Sequence, residues 1–105
     1  DANWNSTLPA PAYPEYPSGL VSNYGPVIQV LIREVGDVPV TDDIYTWRGL
    51  PARQFSSLSQ LLKEAAASRI YAGIHYRFAQ EVSIEIGKDL GNEIARIQIV
   101  GPKYQ

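Results

Sequence analysis

Apolar residues recur at the helical period in three stretches of this 105-residue chain, and that periodicity constrains the fold more than any other feature. In the first stretch Val27, Ile28, Leu31, Ile32 and Val35 form one stripe, which predicts an amphipathic helix over 26–36. Pro26 then falls in the first turn, where its missing N–H costs nothing, and Gly36 falls just past the end. A short helical turn over Ser18–Tyr24 is expected before it. The second stretch predicts a helix over 57–72. Ser57 and Gln60 match a capping box, Phe55, Leu58, Leu61, Leu62, Ala65 and Ile70 supply the buried stripe, and Gly73 ends it. The third predicts a helix over 78–97, with Val82, Ile86, Leu90, Ile94 and Ile97 as the stripe to be buried. Gly87 and Gly91, four apart beside that stripe, point to close helix packing, and Gly101-Pro102 should stop regular structure. Val82–Ile86 also alternates like a strand, but the length of the 3.6-residue pattern favours a helix.

The remaining sequence resists regular structure. Pro9, Pro11, Pro14 and Pro17 fix φ and remove four N–H donors, so residues 1–17 are expected to be an extended leader, pinned onto a hydrophobic surface by Trp4, Tyr13 and Tyr16. Residues 37–53 carry Pro39, Asp42-Asp43, Gly49 and Pro51 and read as a long connecting loop. The expected organisation is therefore an all-α domain over 18–105, built on three main helices behind a Pro-rich leader.

Composition removes several function classes. A net charge of −2 argues against a nucleic-acid binder, and no apolar run is long enough to span a bilayer. With no cysteine there is no disulfide, thiolate metal site or cysteine nucleophile. The chain also lacks methionine and begins at Asp1, so a processed product or a fragment is expected. Asn5-Ser6-Thr7 is an acceptor pattern for N-glycosylation at Asn5, and together these features point to a secreted or vacuolar protein.

Two segments carry chemistry. Pro17-Ser18-Gly19 enters a helix, where unpaired backbone N–H groups and a hydroxyl can cradle an anion. Ser68-Arg69 followed after five residues by His75 brings a guanidinium and the only histidine to one helix junction. This pair resembles the vanadium-dependent haloperoxidases and the related type 2 phosphatidic acid phosphatases, which share Pro-Ser-Gly-His and Ser-Arg-x5-His-x3-Asp segments. The flanks Glu64–Ala67 and Ile70–Phe78 look most like the haloperoxidase branch.

The resemblance implies that Arg69, Ser18 and the Gly19 N–H bind the oxygens of a phosphate or vanadate. It implies that His75 ligates vanadium, or acts as a nucleophile in the phosphatase branch. A lysine and an arginine expected on an earlier helix have no counterpart before Pro17. Leu20 stands where a proton-transferring histidine is expected, and Ala79 where an orienting aspartate is expected. Without an acid–base group worth about 10²–10⁴-fold, the expectation is a degenerate, non-catalytic oxyanion-binding or partner-binding protein. The alternatives are one chain of a processed, active haloperoxidase or acid phosphatase completed by another chain, and a storage or defence protein that uses the fold as a scaffold. Three helices with wide apolar stripes barely cover themselves, so a second copy or a cleaved amino-terminal half is the expected partner.

Overall fold

The structure, a computed structural model, describes residues 1–97. Three helices dominate: α1 (Gly19–Val35), α2 (Leu58–Tyr71) and α3 (Arg77–Ala95). The stop expected at Gly101-Pro102 lies outside the described residues. Residues 1–17 hold no helix or strand, as four prolines require.

Helix α1 begins seven residues earlier than the apolar stripe indicates. Ser18 is its N-cap, and the short turn expected over Ser18–Tyr24 is instead its first turns, so Pro26 lies inside the helix. Helix α2 starts where its signals place it. Ser57 Oγ accepts from the Gln60 N–H at 3.0 Å, while Gln60 Oε1 reaches back to the Ser56 N–H, one residue before the cap. A further cap comes from afar, since Asp37 Oδ1 accepts from the Ser59 N–H at 2.8 Å. That bond holds the Asp37 carboxyl below its ordinary value. Gly73, at φ +76°, ends the chain's helical path in a conformation that a side chain would strain.

Between α1 and α2 the chain is not wholly irregular. Strands β1 (Val40–Asp42) and β2 (Arg53–Phe55) pair antiparallel with Val40 opposite Phe55 and Asp42 opposite Arg53, and a short 3₁₀ turn spans Thr46–Arg48. Arg53 reaches Glu64 on α2 in an ion pair, and Phe55 is buried beside the start of that helix. At the tip of this hairpin Ile44, Tyr45, Trp47 and Leu50 are exposed.

The helices pack by their small faces. The residues of α3 that are buried are Ala79, Gln80, Ser83, Gly87 and Gly91, not the apolar stripe that the sequence nominates. Ile86, Leu90, Ile94 and Ile97 are exposed, as are Val27, Leu31 and Val35 of α1. The reason is steric. A Cβ on Gly87 would stand 2.8 Å from the Cα of Gly25, and one on Gly91 would stand 2.5 Å from the Cβ of Gln29. Backbones that close leave no room for leucine or isoleucine between them. Gln29 and Asn92 bridge the same seam at 3.0 Å. The remaining core is small: Val21, Leu62 and Ala66, with Leu20, Ile28 and Ile84 half-buried around them.

Two consequences follow for stability. Replacing Gly91 by Ala should lower the thermal midpoint by about 5 °C or more, because a Cβ there would also stand 2.8 Å from the Pro26 carbonyl oxygen, which puts the overpacking cost at about 3 kcal/mol, above the helix-propensity gain of about 1 kcal/mol. Gly19→Ala, where a Cβ meets nothing within 4 Å, should leave the midpoint unchanged or raise it. The lowered Asp37 value makes that carboxylate's contribution fully present above its unfolded value and lost as pH falls through its folded value. Thermal midpoints of the wild type and Asp37→Asn should therefore differ at about pH 7 and converge below about pH 4.

Candidate functional site

The end of α2, the Gly73 turn and the start of α3 bring Arg69 and His75 together. Arg69 sits in the last turn of α2, and its carbonyl accepts from the N–H of Ile74 at 3.1 Å. His75 follows directly, one residue before the N-cap of α3, with its side chain wholly buried.

The leader then closes over this junction. Trp4 lies against Gly73, within 3.1 Å of where a Cβ would stand, and the Leu8 N–H donates to the Ala72 carbonyl at 3.3 Å. Tyr13 stacks on the His75 ring with centroids 6.1 Å apart, and its hydroxyl accepts from Arg69 Nη2 at 3.1 Å. Glu15 touches His75 through its carbonyl oxygen, 2.6 Å from Nδ1, and its carboxylate accepts from the Tyr76 N–H at 2.8 Å. Tyr16 stacks on Phe78. All three aromatic anchors named from the sequence thus make such contacts.

Ser18 arrives from the other side. Its N–H donates to Ser83 Oγ at 2.8 Å, and Ser83 in turn donates to the Ala79 carbonyl at 2.6 Å. Ser83 and Ala79 have no exposed surface, so this small contact fixes where α1 begins relative to α3. The Ser18 hydroxyl makes no cap bond.

No hydrogen bond links Ser18 or Gly19 directly to Arg69 or His75 among the described residues. Tyr13 joins Arg69 to His75, and Glu15, three residues before Ser18, joins the Ser18 segment to His75. Gly19 lines a cavity of about 500 Å³ with Tyr13, Pro14, Tyr16 and Leu20. His75 lines another of about 550 Å³ with Trp4, Glu15, Ile70 and Gly73. Leu20, where the resemblance leads to the expectation of a histidine, packs against the Val21–Leu62–Ala66 core.

Buried polar atoms without a partner mark the site. Among the described residues these are Ser18 Oγ, Ser22 Oγ, Arg69 Nε, His75 Nε2 and the carboxamide of Gln80. A buried donor or acceptor left unpaired costs about 1–3 kcal/mol. Three of these five residues are ones that the sequence selects as anion ligands. Sequence reasoning passes over Tyr13 and Glu15 as site residues; the only signal was their place between prolines just ahead of Pro17-Ser18-Gly19. No group of three or more acidic, histidine or cysteine side chains that could hold a metal ion occurs among the described residues.

Comparison with known proteins agrees with this architecture. The VCPO second helical-bundle domain matches residues 1–99. The chain is similar to a solved structure described as that of the first bacterial vanadium-dependent iodoperoxidase, with a TM-score of 0.79 and 44% identity over 88% of this chain. Structures of a bacterial vanadium-dependent chloroperoxidase, in holo and apo forms, match over 90% of the chain with TM-scores of 0.69 and 0.68; at 22% identity these show the fold alone. No curated protein matches. The chain belongs to the VCPO second helical-bundle domain family, the helical bundle of the vanadium haloperoxidases. It spans 23% of the length of the solved relatives it matches.

Proposed function

We propose that this chain carries a remnant oxyanion site and binds phosphate or vanadate without turning over substrate. The observation that carries the reading is the set of three buried, unpartnered polar atoms on Ser18, Arg69 and His75. Their chemistry fits an oxyanion: Arg69 and Ser18 would donate to its oxygens, and His75 Nε2 would offer a lone pair. Ser18, Gly19 and Arg69 would hold vanadate by its oxygens, with His75 as the ligand to the metal. When bound, vanadate supplies a Lewis-acidic centre that polarises oxygen ligands. The chain's own residues bind and orient, but they move no proton efficiently. Leu20 carries no titratable group, and Ala79 offers no carboxylate to the imidazole.

The exposed faces support a second element of the proposal. Val27, Leu31 and Val35 of α1, with Ile86, Leu90 and Ile94 of α3, are large apolar side chains left exposed. A second copy, or a cleaved amino-terminal half, would cover them. This also supports the rival enzyme reading, in which another chain supplies the missing lysine and arginine. The scaffold reading, a storage or defence role, needs neither. Asn5 is exposed, which supports its use as a glycan acceptor in a secreted or vacuolar setting.

Three kinds of measurement test these proposals. Phosphate titrated against the His75 ring signals by NMR should give roughly millimolar affinity, about −4 kcal/mol, weakening with salt and lost in Arg69→Ala. Halide oxidation with peroxide and vanadate, and phosphate-ester hydrolysis, should stay at background; turnover abolished by His75→Ala would establish the enzyme reading instead. In sedimentation, the isolated chain should associate as its concentration rises. A single non-associating species of about 11.6 kDa at all concentrations would refute self-association.

A further inference from the structure

We propose that Glu15 is a positioning residue: it holds the His75 imidazole in its Nδ1–H form and leaves Nε2 as a bare lone pair. The Glu15 carbonyl oxygen lies 2.6 Å from His75 Nδ1. A carbonyl oxygen only accepts, so the proton of this contact belongs to Nδ1. In the neutral ring Nε2 then carries none, and which nitrogen is protonated follows from the bond that the other makes.

The same residue holds that carbonyl in place. Glu15 Oε1 accepts from the Tyr76 N–H at 2.8 Å and stands 3.6 Å from His75 Nδ1. Glu15 therefore grips two consecutive residues, the ring of His75 with its backbone oxygen and the backbone of Tyr76 with its side chain. Pro14 and Pro17 flank it, and their fixed φ limits how far this stretch of the leader can drift. Tyr13 closes the face of the ring by stacking on it. The ring is left with one nitrogen bonded and the other, Nε2, buried and unpartnered.

Ala79 cannot orient the imidazole, and Glu15 supplies that function from a different part of the chain. The consequence for ligand binding rests on the oxyanion reading above. Nε2 can offer its lone pair to a metal centre only when it is unprotonated, so the tautomer decides whether His75 can serve as that ligand.

The test is nitrogen–proton correlation NMR of the His75 ring at about pH 8, where an ordinary imidazole is neutral, without added anion. Wild-type protein, Glu15→Gln and Glu15→Ala are compared. The wild type should show a protonated Nδ1 and a bare Nε2. Glu15→Gln should keep that pattern, because its amide oxygen still accepts from the Tyr76 N–H. Glu15→Ala should shift towards a mixture of tautomers, since the carbonyl is no longer clamped. A wild-type ring protonated at Nε2, or a Glu15→Ala spectrum identical to wild type, would overturn the proposal. If Glu15→Ala fails to fold, Glu15→Asp, too short to reach Tyr76, takes its place with the same expected mixture. Titration with inorganic vanadate then separates the two claims: Glu15→Ala should bind about tenfold more weakly than wild type, and Glu15→Gln about as well. Should the tautomer series behave as stated while vanadate binds none of the chains, the oxyanion reading fails and the positioning role stands. Equal vanadate affinity in all three would instead remove Glu15 from the binding.

Discussion

The approach of α1 to α3 through Gly25, Gly87 and Gly91 is the contact on which the rest of this structure depends. With no side chain between Gly25 and Gly87, the two backbones come close, and the Ser18 N–H reaches Ser83 Oγ at 2.8 Å. That bond sets the start of α1, and the start of α1 sets where the Ser18 hydroxyl and Gly19 stand. Larger side chains in the seam would hold the helices apart. The site is thus a product of helix packing before it is a product of its own residues.

The leader completes what the helices begin. Trp4 covers Gly73, Tyr13 ties Arg69 to His75, and Glu15 ties His75 to the segment that becomes Ser18. A segment with four prolines cannot form regular structure, yet its stiffness suits it to strap a helix junction. Burial of His75 comes from this strap. Ser18 Oγ, Arg69 Nε and His75 Nε2 are left buried without partners, and a buried polar atom in that state calls for a partner that the chain itself does not supply.

Much of this was legible in the sequence. Helix α2 could be read almost to the residue, because Ser57, Gln60 and Gly73 state its ends in local chemistry. Arg69 and His75 were legible through their spacing. Helix α3 was located well, but its buried face was misassigned. The reading put the largest apolar residues inward, whereas Ala79, Ser83, Gly87 and Gly91 are buried and Ile86, Leu90 and Ile94 are exposed. Periodicity reports that a face is apolar, not which surface covers it, and in a chain spanning 23% of its solved relatives that distinction matters. Strands β1 and β2 escaped notice because three residues each are too few to show alternation. The start of α1 escaped because Pro26 reads as a beginning when it is an interior residue. Glu15 could not be found from side-chain chemistry, since its closest contact with His75, at 2.6 Å, runs through a backbone oxygen.

The central claim is that Ser18, Arg69 and His75 share one oxyanion. Crystals of the chain soaked in vanadate would test it most directly, by the position of the vanadium in the electron density. The account predicts a single vanadate with His75 Nε2 as its protein ligand and with Ser18 Oγ and Arg69 Nε within hydrogen-bond distance of its oxygens. Vanadate bound elsewhere, with Ser18, Arg69 and His75 paired instead to water or to one another, would contradict it.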